Sequence, residues 1–276
     1  MGPAYSFFLK QDLILYHDLE ITGNGSAAFV LEGQISEYHK PTKLTKSGTS
    51  SLLIKSSPKH TGPTSIHEGE IILAENVTLS SEVIISEKAI LSGSGTLTNS
   101  LSGAGTISPG QGIGTLTIQN ASPKRLHLEI DGNQADHLVS TGILDLSSTT
   151  LSWSTQNLTD VVYPIITYKS LIDGFRNPNL PPAGYVFDYN YQGNKIALVR
   201  SENSYQVWSH QTHAVSGANA LFEADPDLDG IPNGLEFFTG SNPAEFTKTH
   251  PLKASRRSGS TSVSYPISSL GQATLF

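Results

Sequence analysis

The chain has 276 residues, room for one large domain or two to three small ones. Hydrophobic residues make up 37% of it and charged residues only 15%, with a net charge of −7, which argues against a phosphate-binding surface and so against nucleic acid as a partner. There is no cysteine, so disulfides and thiolate metal sites are excluded, and no segment approaches the roughly 20 apolar residues that span a bilayer.

The opening "MGPAYSFFLKQDLILYHD" does not read as a signal peptide, because Lys10 and Asp12 interrupt its apolar run. The far end, "SYPISSLGQATLF", stops inside a strand-like alternation, so both ends read as cuts through a larger protein. From Leu13 to Ile118 the apolar residues come in short alternating clusters: "LILY", "FVL", "LLI", "IIL" at Ile71, "VII" around Ile84, and "TLTI". Gly, Ser, Asn or Pro separates them, and no window holds a helical period. Many short strands suggest a sandwich, a barrel or a solenoid. Imperfect self-similarity between "LTKSGTSSLLI" and "LSGSGTLTNSLSGAGTISPG" favours the solenoid, whose stacked turns need brief apolar strands between small-residue corners.

These residues carry a resemblance. "KLTKSGTSSLLIKSSPKHTGPTSIHEGEIIL", residues 43–73, resembles the autotransporter-associated β-strand repeat of bacterial surface proteins, through Leu44-Thr45-Lys46, Gly48, Leu52, Ile54, Thr61-Gly62, Thr64, Ile66 and Gly69. "GSGTL" and "GAGTISPGQGIGTLTI" are similar to the segment that closes such arrays, and residues 127–153 followed by 163–199 to the β-rich unit that follows them. The resemblance implies a right-handed parallel β-helix, extracellular or on the bacterial outer surface, and adhesin-like. The expected architecture is mainly β: a solenoid over residues 1–120, a β-rich continuation or cap over 121–200, a helix–calcium loop–helix module over 201–247, and the start of a truncated β segment over 248–276. The ladder residues expected inside are Leu52, Ile54, Ile71, Leu73, Val83 and Ile85.

After Val199 the composition changes. Val207, Trp208, Val215, Leu221 and Phe222 have spacings compatible with an amphipathic helix over residues 204–224. A second helix is expected from Asn233 to Thr239, ending at Gly240, with Pro243 barring continuation. Between them lies "DPDLDGIPNGLE". An EF-hand-type loop takes oxygen ligands at its positions 1, 3, 5, 7, 9 and 12, with glycine at 6. Asp225, Asp227, Asp229, the Ile231 carbonyl, Asn233 and Glu236 fill that pattern, and Gly230 occupies the turn. Four carboxylates in twelve residues repel one another without a cation. A calcium cage is therefore favoured over a solvated turn. Pro232 at position 8 has no N–H to donate to a partner loop, so the loop is expected to be solitary, similar to those of dockerin and thrombospondin type-3 modules. Calcium binding is expected to dock the flanking helices through Trp208, Leu221, Phe222, Leu235 and Phe238.

Other constellations carry less. His210 and His213 could share a metal, but no third ligand is near in sequence. Glu129, Asp131, Asp136 and His137 in "EIDGNQADH" could be acid–base machinery, though the Asp-Gly step reads first as a turn. "HEGE" around His67 is expected at a solvated corner. Residues 19–130 contain no Asp and the first Arg is Arg125, whereas glycosidases need a carboxylate pair and β-helix lyases an acid-held calcium with a basic residue. The chain is therefore expected to be a non-catalytic structural or adhesive protein and a monomer, with surface glycans or other cells as partners. The alternative is a polysaccharide-active or carbohydrate-binding β-helix, for which Tyr185, Tyr189 and Tyr191 would be the aromatic platform.

Overall fold

A computed structural model describes residues 6–176, 178–200, 205, 208, 209, 213, 215, 217–247, 253–257, 260–264 and 266. It divides into two compact units, residues 1–180 with 192–196, and residues 181–191 with 197–276.

The first unit is a β-solenoid of about seven turns. The chain winds through β1 (Phe7–Leu9), β2 (Leu13–Leu15) and β3 (Leu19–Thr22), then β4 (Ala28–Leu31), β5 (Ile35–Glu37) and β6 (Leu44–Ser47). It continues through β7 (Ser51–Ile54) and β8 (Thr64–Ile66), then β9 (Gly69–Leu73), β10 (Thr78–Leu79) and β11 (Val83–Ile85). Next come β12 (Ala89–Gly93), β13 (Thr96–Leu97) and β14 (Leu101–Gly103), followed by β15 (Thr106–Pro109) and β16 (Thr115–Ile118). The last circuits are longer: β17 (Arg125–Asp131), β18 (Gln134–Ala135), β19 (His137–Asp145), β20 (Thr150–Gln156) and β21 (Val162–Asp173). Each strand pairs in parallel with its equivalent one circuit on, so β1, β4, β7, β9, β12, β15, β17 and β20 form one face. Strands β3, β6, β8, β11 and β14 form a second face, and β10, β13, β16, β19 and β21 a third. The antiparallel pair β17–β18 closes over Gly132, in the turn that the Asp-Gly step predicts.

In-register stacking turns the alternating clusters into columns. Leu52, Ile71, Leu91, Ile107 and Leu126 sit directly above one another on the first face, and all five are buried. Leu31, Ile54 and Leu73 form a second inward column. The predicted ladder residues Leu52, Ile54, Ile71, Leu73, Val83 and Ile85 are all core. Each such side chain stabilises by about 1.5–3 kcal/mol on burial. The column is open at its first circuit, where Phe7 is 61% exposed although it stacks on Phe29.

The low-complexity glycines have a stacking reason. Gly93 ends β12 with φ +100°, and a Cβ there would lie 2.1 Å from the Leu73 oxygen of the preceding circuit. Only glycine allows that backbone to approach its neighbour.

Lys46 is a charged residue among the inward ones. It occupies the column of Ile21, Ile66 and Ile85, fully buried, where apolar side chains stand in the other circuits. Its ammonium donates to the carbonyls of Ser47 (2.8 Å), Gly48 (2.6 Å) and Glu68 (3.3 Å), joining one corner to the next. Burial lowers its pKa and the Glu68 charge opposes that shift.

In the second unit, β22 (Tyr185–Tyr191) is the hydrogen-bonded neighbour of β23 (Lys195–Arg200), whose residues from Ala197 onward belong to the same unit. The helix α1 (Asn233–Thr239) has the predicted bounds and stops at Gly240, which adopts the left-handed conformation, φ +79°. An antiparallel pair, β24 (Lys253–Arg257) and β25 (Ser260–Ser264), follows. The predicted helix over 204–224 is not continuous at its far end. Gly217–Ala220 form a 3-10 turn, and Leu221 and Phe222 are 59% and 43% exposed. Gly217 disfavours a helix interior, and the chain must turn there to enter the acidic loop. Val207 lies outside the described residues. Among the described residues no helix is long and apolar enough to cross a membrane.

Candidate metal centre

The acidic loop starts from its backbone. Leu228 and Gly230, its fourth and sixth residues, are both left-handed, with φ +61° and +87°. Those two reversals, two residues apart, curl the loop around a common centre. Asp225 accepts the N–H of Asp229 (3.2 Å) on one oxygen and of Gly230 (2.9 Å) on the other. Asp227 accepts Asp229 N–H (3.3 Å), and Asp229 accepts Ile231 N–H (2.7 Å). Each of Asp225, Asp227 and Asp229 thereby offers a carboxylate oxygen within 4.8 Å of those of the other two, an arrangement that could hold a metal ion.

The helix supplies the rest. Its first N–H groups are taken by the approaching chain: Asn233 donates to Ala224 O and Gly234 to Phe222 O, each at 2.8 Å. A side chain at Gly234 would strike the Phe222 ring at 2.2 Å, which explains a glycine inside so short a helix. The Asn233 amide is oriented by donation to Asn219 O (2.7 Å) and Leu221 O (2.9 Å), and its oxygen is buried without a partner. Glu236 is fully buried, and neither carboxylate oxygen makes a hydrogen bond of acceptable geometry. Burial, then the charges of Asp227 and Asp229, push its pKa up to about 7, and the nearby Ser241 hydroxyl offsets this only in part. One oxygen of Asp227 is also orphaned, and its pKa is raised, again chiefly by burial.

Leaving such groups buried and unpaired costs on the order of 1–3 kcal/mol each, more for a charged one. They belong to three of the six predicted ligand residues, Asp227, Asn233 and Glu236. The three aspartates are brought together, and Glu236 lies outside that 4.8 Å group yet feels the charge of all three. Ile231 is buried and anchors the loop.

An aromatic cluster lies against the helix. Tyr205 sits 5.5 Å from Trp208, 5.1 Å from Phe222 and 5.7 Å from Phe237, ring centre to ring centre. Trp208 and Phe237 are buried, whereas Leu235 and Phe238 are only half-buried and Leu221 is exposed. The helix turns Phe237 to Trp208 and Tyr205, which the sequence did not predict, while the predicted Phe238 meets Phe222 edge-on at 6.2 Å and Leu235 is half-buried.

The remaining candidates do not assemble. His213 lies edge-on to Trp208 at 4.9 Å and is not in the acidic group; His210 lies outside the described residues. In "EIDGNQADH", Asp136 is fully buried and accepts Gly114 N–H (2.9 Å) and Glu129 N–H (2.8 Å), one on each oxygen. His137 binds Pro164 O (3.0 Å) and Thr167 Oγ1 (2.8 Å), and Asp131 is exposed. These are fasteners between circuits. His67 is exposed at a corner, as predicted. Tyr185 is buried against the Arg200 guanidinium, 5.7 Å from its ring centre, so Tyr185, Tyr189 and Tyr191 do not form one exposed platform. A cluster that the sequence alone did not reveal has His127 between the hydroxyls of Ser152 (2.9 Å) and Ser154 (3.0 Å). It arises because β17 and β20 pair in register, a long-range fact.

No protein-family model matches the chain, and no curated protein matches it in sequence.

Proposed function

We propose that the chain is a non-catalytic β-solenoid of a bacterial surface or secreted protein, structural or adhesin-like, whose second unit is clamped by one Ca²⁺. The observation that carries the clamp is Glu236: a fully buried carboxylate with no hydrogen-bond partner, coupled to three clustered aspartates. An all-oxygen donor set of carboxylates, an amide oxygen and a carbonyl suits a hard cation of flexible coordination, which favours calcium over zinc or copper. The ligands are Asp225, Asp227, Asp229, the Ile231 carbonyl, Asn233 and Glu236. Extracellular modules of this type bind at about 10⁻⁴–10⁻³ M, an affinity suited to calcium levels outside a cell.

The scaffold reading is supported by what the solenoid's acids do. Asp12 accepts Gln34 N–H, Asp18 accepts Lys43 N–H, and Glu37 accepts the N–H groups of Thr42 and Thr61 with the Thr61 hydroxyl. Those bonds, the Thr61 hydroxyl first, hold Glu37 down at about 2. Such carboxylates fasten circuits and are poor general acids. Titration calorimetry with CaCl₂ on the wild type and Glu236→Ala tests the clamp. Binding by the wild type that the variant loses is the expected result; equal binding by both, or none at millimolar calcium, removes it. Turnover of an acidic or neutral polysaccharide, abolished by one carboxylate substitution, would overturn the non-catalytic reading.

A further inference from the structure

We infer that the bound cation also fastens the segment Ser241–Thr247, which follows the helix, so that this segment is a metal-dependent strap. The inference rests on the calcium reading above and adds a consequence that the loop alone does not require.

Two links join the strap to the candidate centre. The first is Glu236. Its carboxylate belongs to the buried acid group, while its backbone carbonyl accepts the N–H of Gly240 (2.7 Å) and of Ser241 (3.1 Å). The residue that closes the ligand set therefore also sets where the chain leaves the helix. The second link is Asp229. One of its oxygens accepts Ile231 N–H inside the loop, and the other accepts Thr247 N–H at 2.9 Å, eighteen residues further on. A carboxylate has about four lone-pair sites, so these two bonds leave room for a cation on the same group.

Between the links the strap has little of its own to hold it. Pro243 is buried, but Ala244 and Glu245 are exposed and Phe246 is 62% exposed. Its other bonds are a short turn and side-chain ties: Asn242 accepts Ala244 N–H (3.1 Å) on its side chain and Glu245 N–H (3.2 Å) on its carbonyl. The Asn242 amide donates to the Glu245 carboxylate (3.1 Å), the Thr247 hydroxyl donates to Glu245 O (3.5 Å), and the Asn242 side chain also bonds that of His213. The two ends of the strap, Ser241 and Thr247, are nevertheless tied by the two carboxylate residues. Without a cation, Asp225, Asp227, Asp229 and Glu236 repel across a few ångströms and the loop that aims Asp229 at Thr247 loosens. With the cation, Asp229 is fixed and its outer oxygen is a pre-aimed, charge-assisted acceptor for Thr247. The strap then closes. Local segments with few apolar contacts open most readily, so this one is poised to report the metal.

The test uses the full chain with CaCl₂ or with chelator, and reads two signals. Hydrogen exchange by mass spectrometry follows the amides of residues 241–247, and glutamyl endopeptidase cleavage after Glu245 follows opening of the strap. Calcium should slow both by about tenfold or more in the wild type. Thr247→Pro removes the donated N–H and should bind calcium in calorimetry, showing an intact loop, yet lose most of the protection of residues 244–246. Thr247→Ala keeps the N–H and should behave as wild type. Calcium binding with unchanged exchange and cleavage in the wild type overturns the strap and leaves the clamp standing. Full protection in Thr247→Pro also overturns it, since the amide would not be the link. Absence of calcium binding by the wild type removes the clamp and the strap together.

Discussion

The two units handle buried polar groups in opposite ways. In the solenoid, Asp136 is as buried as Glu236 is in the second unit, but each of its oxygens receives a backbone N–H from a neighbouring strand or loop. Lys46 is likewise buried and carries three carbonyls on its ammonium. In the acidic loop, Glu236, Asp227 and Asn233 keep buried oxygens with no partner. Among the described residues of the solenoid the orphaned buried side-chain atom is a nitrogen, Nδ1 of His60, and no acid is left so. A parallel stack repeats its corners, so each circuit offers amides at fixed spacing to the acids of the next. A single loop followed by a seven-residue helix has no such supply. What the chain cannot satisfy there, a cation can.

The largest effect that would break this comparison is in the column. Leu52→Ala should destabilise the solenoid by about 2–5 kcal/mol, because its neighbours above and below cannot both collapse into the gap. Chemical denaturation followed by far-ultraviolet circular dichroism reads it, and the calcium response of the second unit should persist. Loss of both would mean that the two units melt as one.

Calcium comes next. At about a hundred times its dissociation constant it should stabilise the second unit by about 2.7 kcal/mol and leave the solenoid transition in place. Emission from Trp208, buried beside Tyr205 and Phe237, reports that unit. Glu236→Ala should abolish the shift. A solenoid transition that moves with calcium as much as the Trp208 signal does would contradict the division.

A smaller effect separates the two kinds of buried acid by pH. Burial raises the pKa of Asp136 from 3.8 to about 7, against the two amide donors that lower it. A raised folded pKa gives stability that is complete below the unfolded value and is lost as pH rises through the folded one. The solenoid should therefore weaken between about pH 4 and pH 7, by at most about 1.4 kcal/mol per pH unit for this one proton. Asp136→Asn should flatten that slope in equilibrium unfolding measured across the window. A slope of the opposite sign would mean that the two amides hold Asp136 ionised, as they would in a well-formed anion nest.

The smallest is at the loop tip. Leu228 is 81% exposed yet left-handed, so nothing it touches offsets the cost of that conformation for a branched side chain. Leu228→Gly should stabilise the calcium-bound second unit by about 1 kcal/mol, read as a higher midpoint in the Trp208 signal. No gain would show that the loop relaxes elsewhere.

Much of this protein is local and was therefore legible in the sequence. Alternation at Leu52, Ile54, Ile71 and Leu73 specifies which side chains face inward, since successive strand residues point to opposite faces. Gly240 and Pro243 end a helix by their own backbone preferences, and the alternate acids of residues 225–229 bring three carboxylates to one place, where they could hold a metal ion. Tertiary structure decided what depends on partners distant in sequence. Lys46 points inward because the corner carbonyl of Glu68, one circuit on, completes its cage. Asp136 is tolerable only because Gly114 passes beside it. Phe237, not Phe238, meets Trp208 because the buried polar residues set the helix's rotation. Thr247 meets Asp229 across eighteen residues. Periodicity fixes the side a residue faces, but the donor that waits there is set by stacking register, and register is a property of the folded chain.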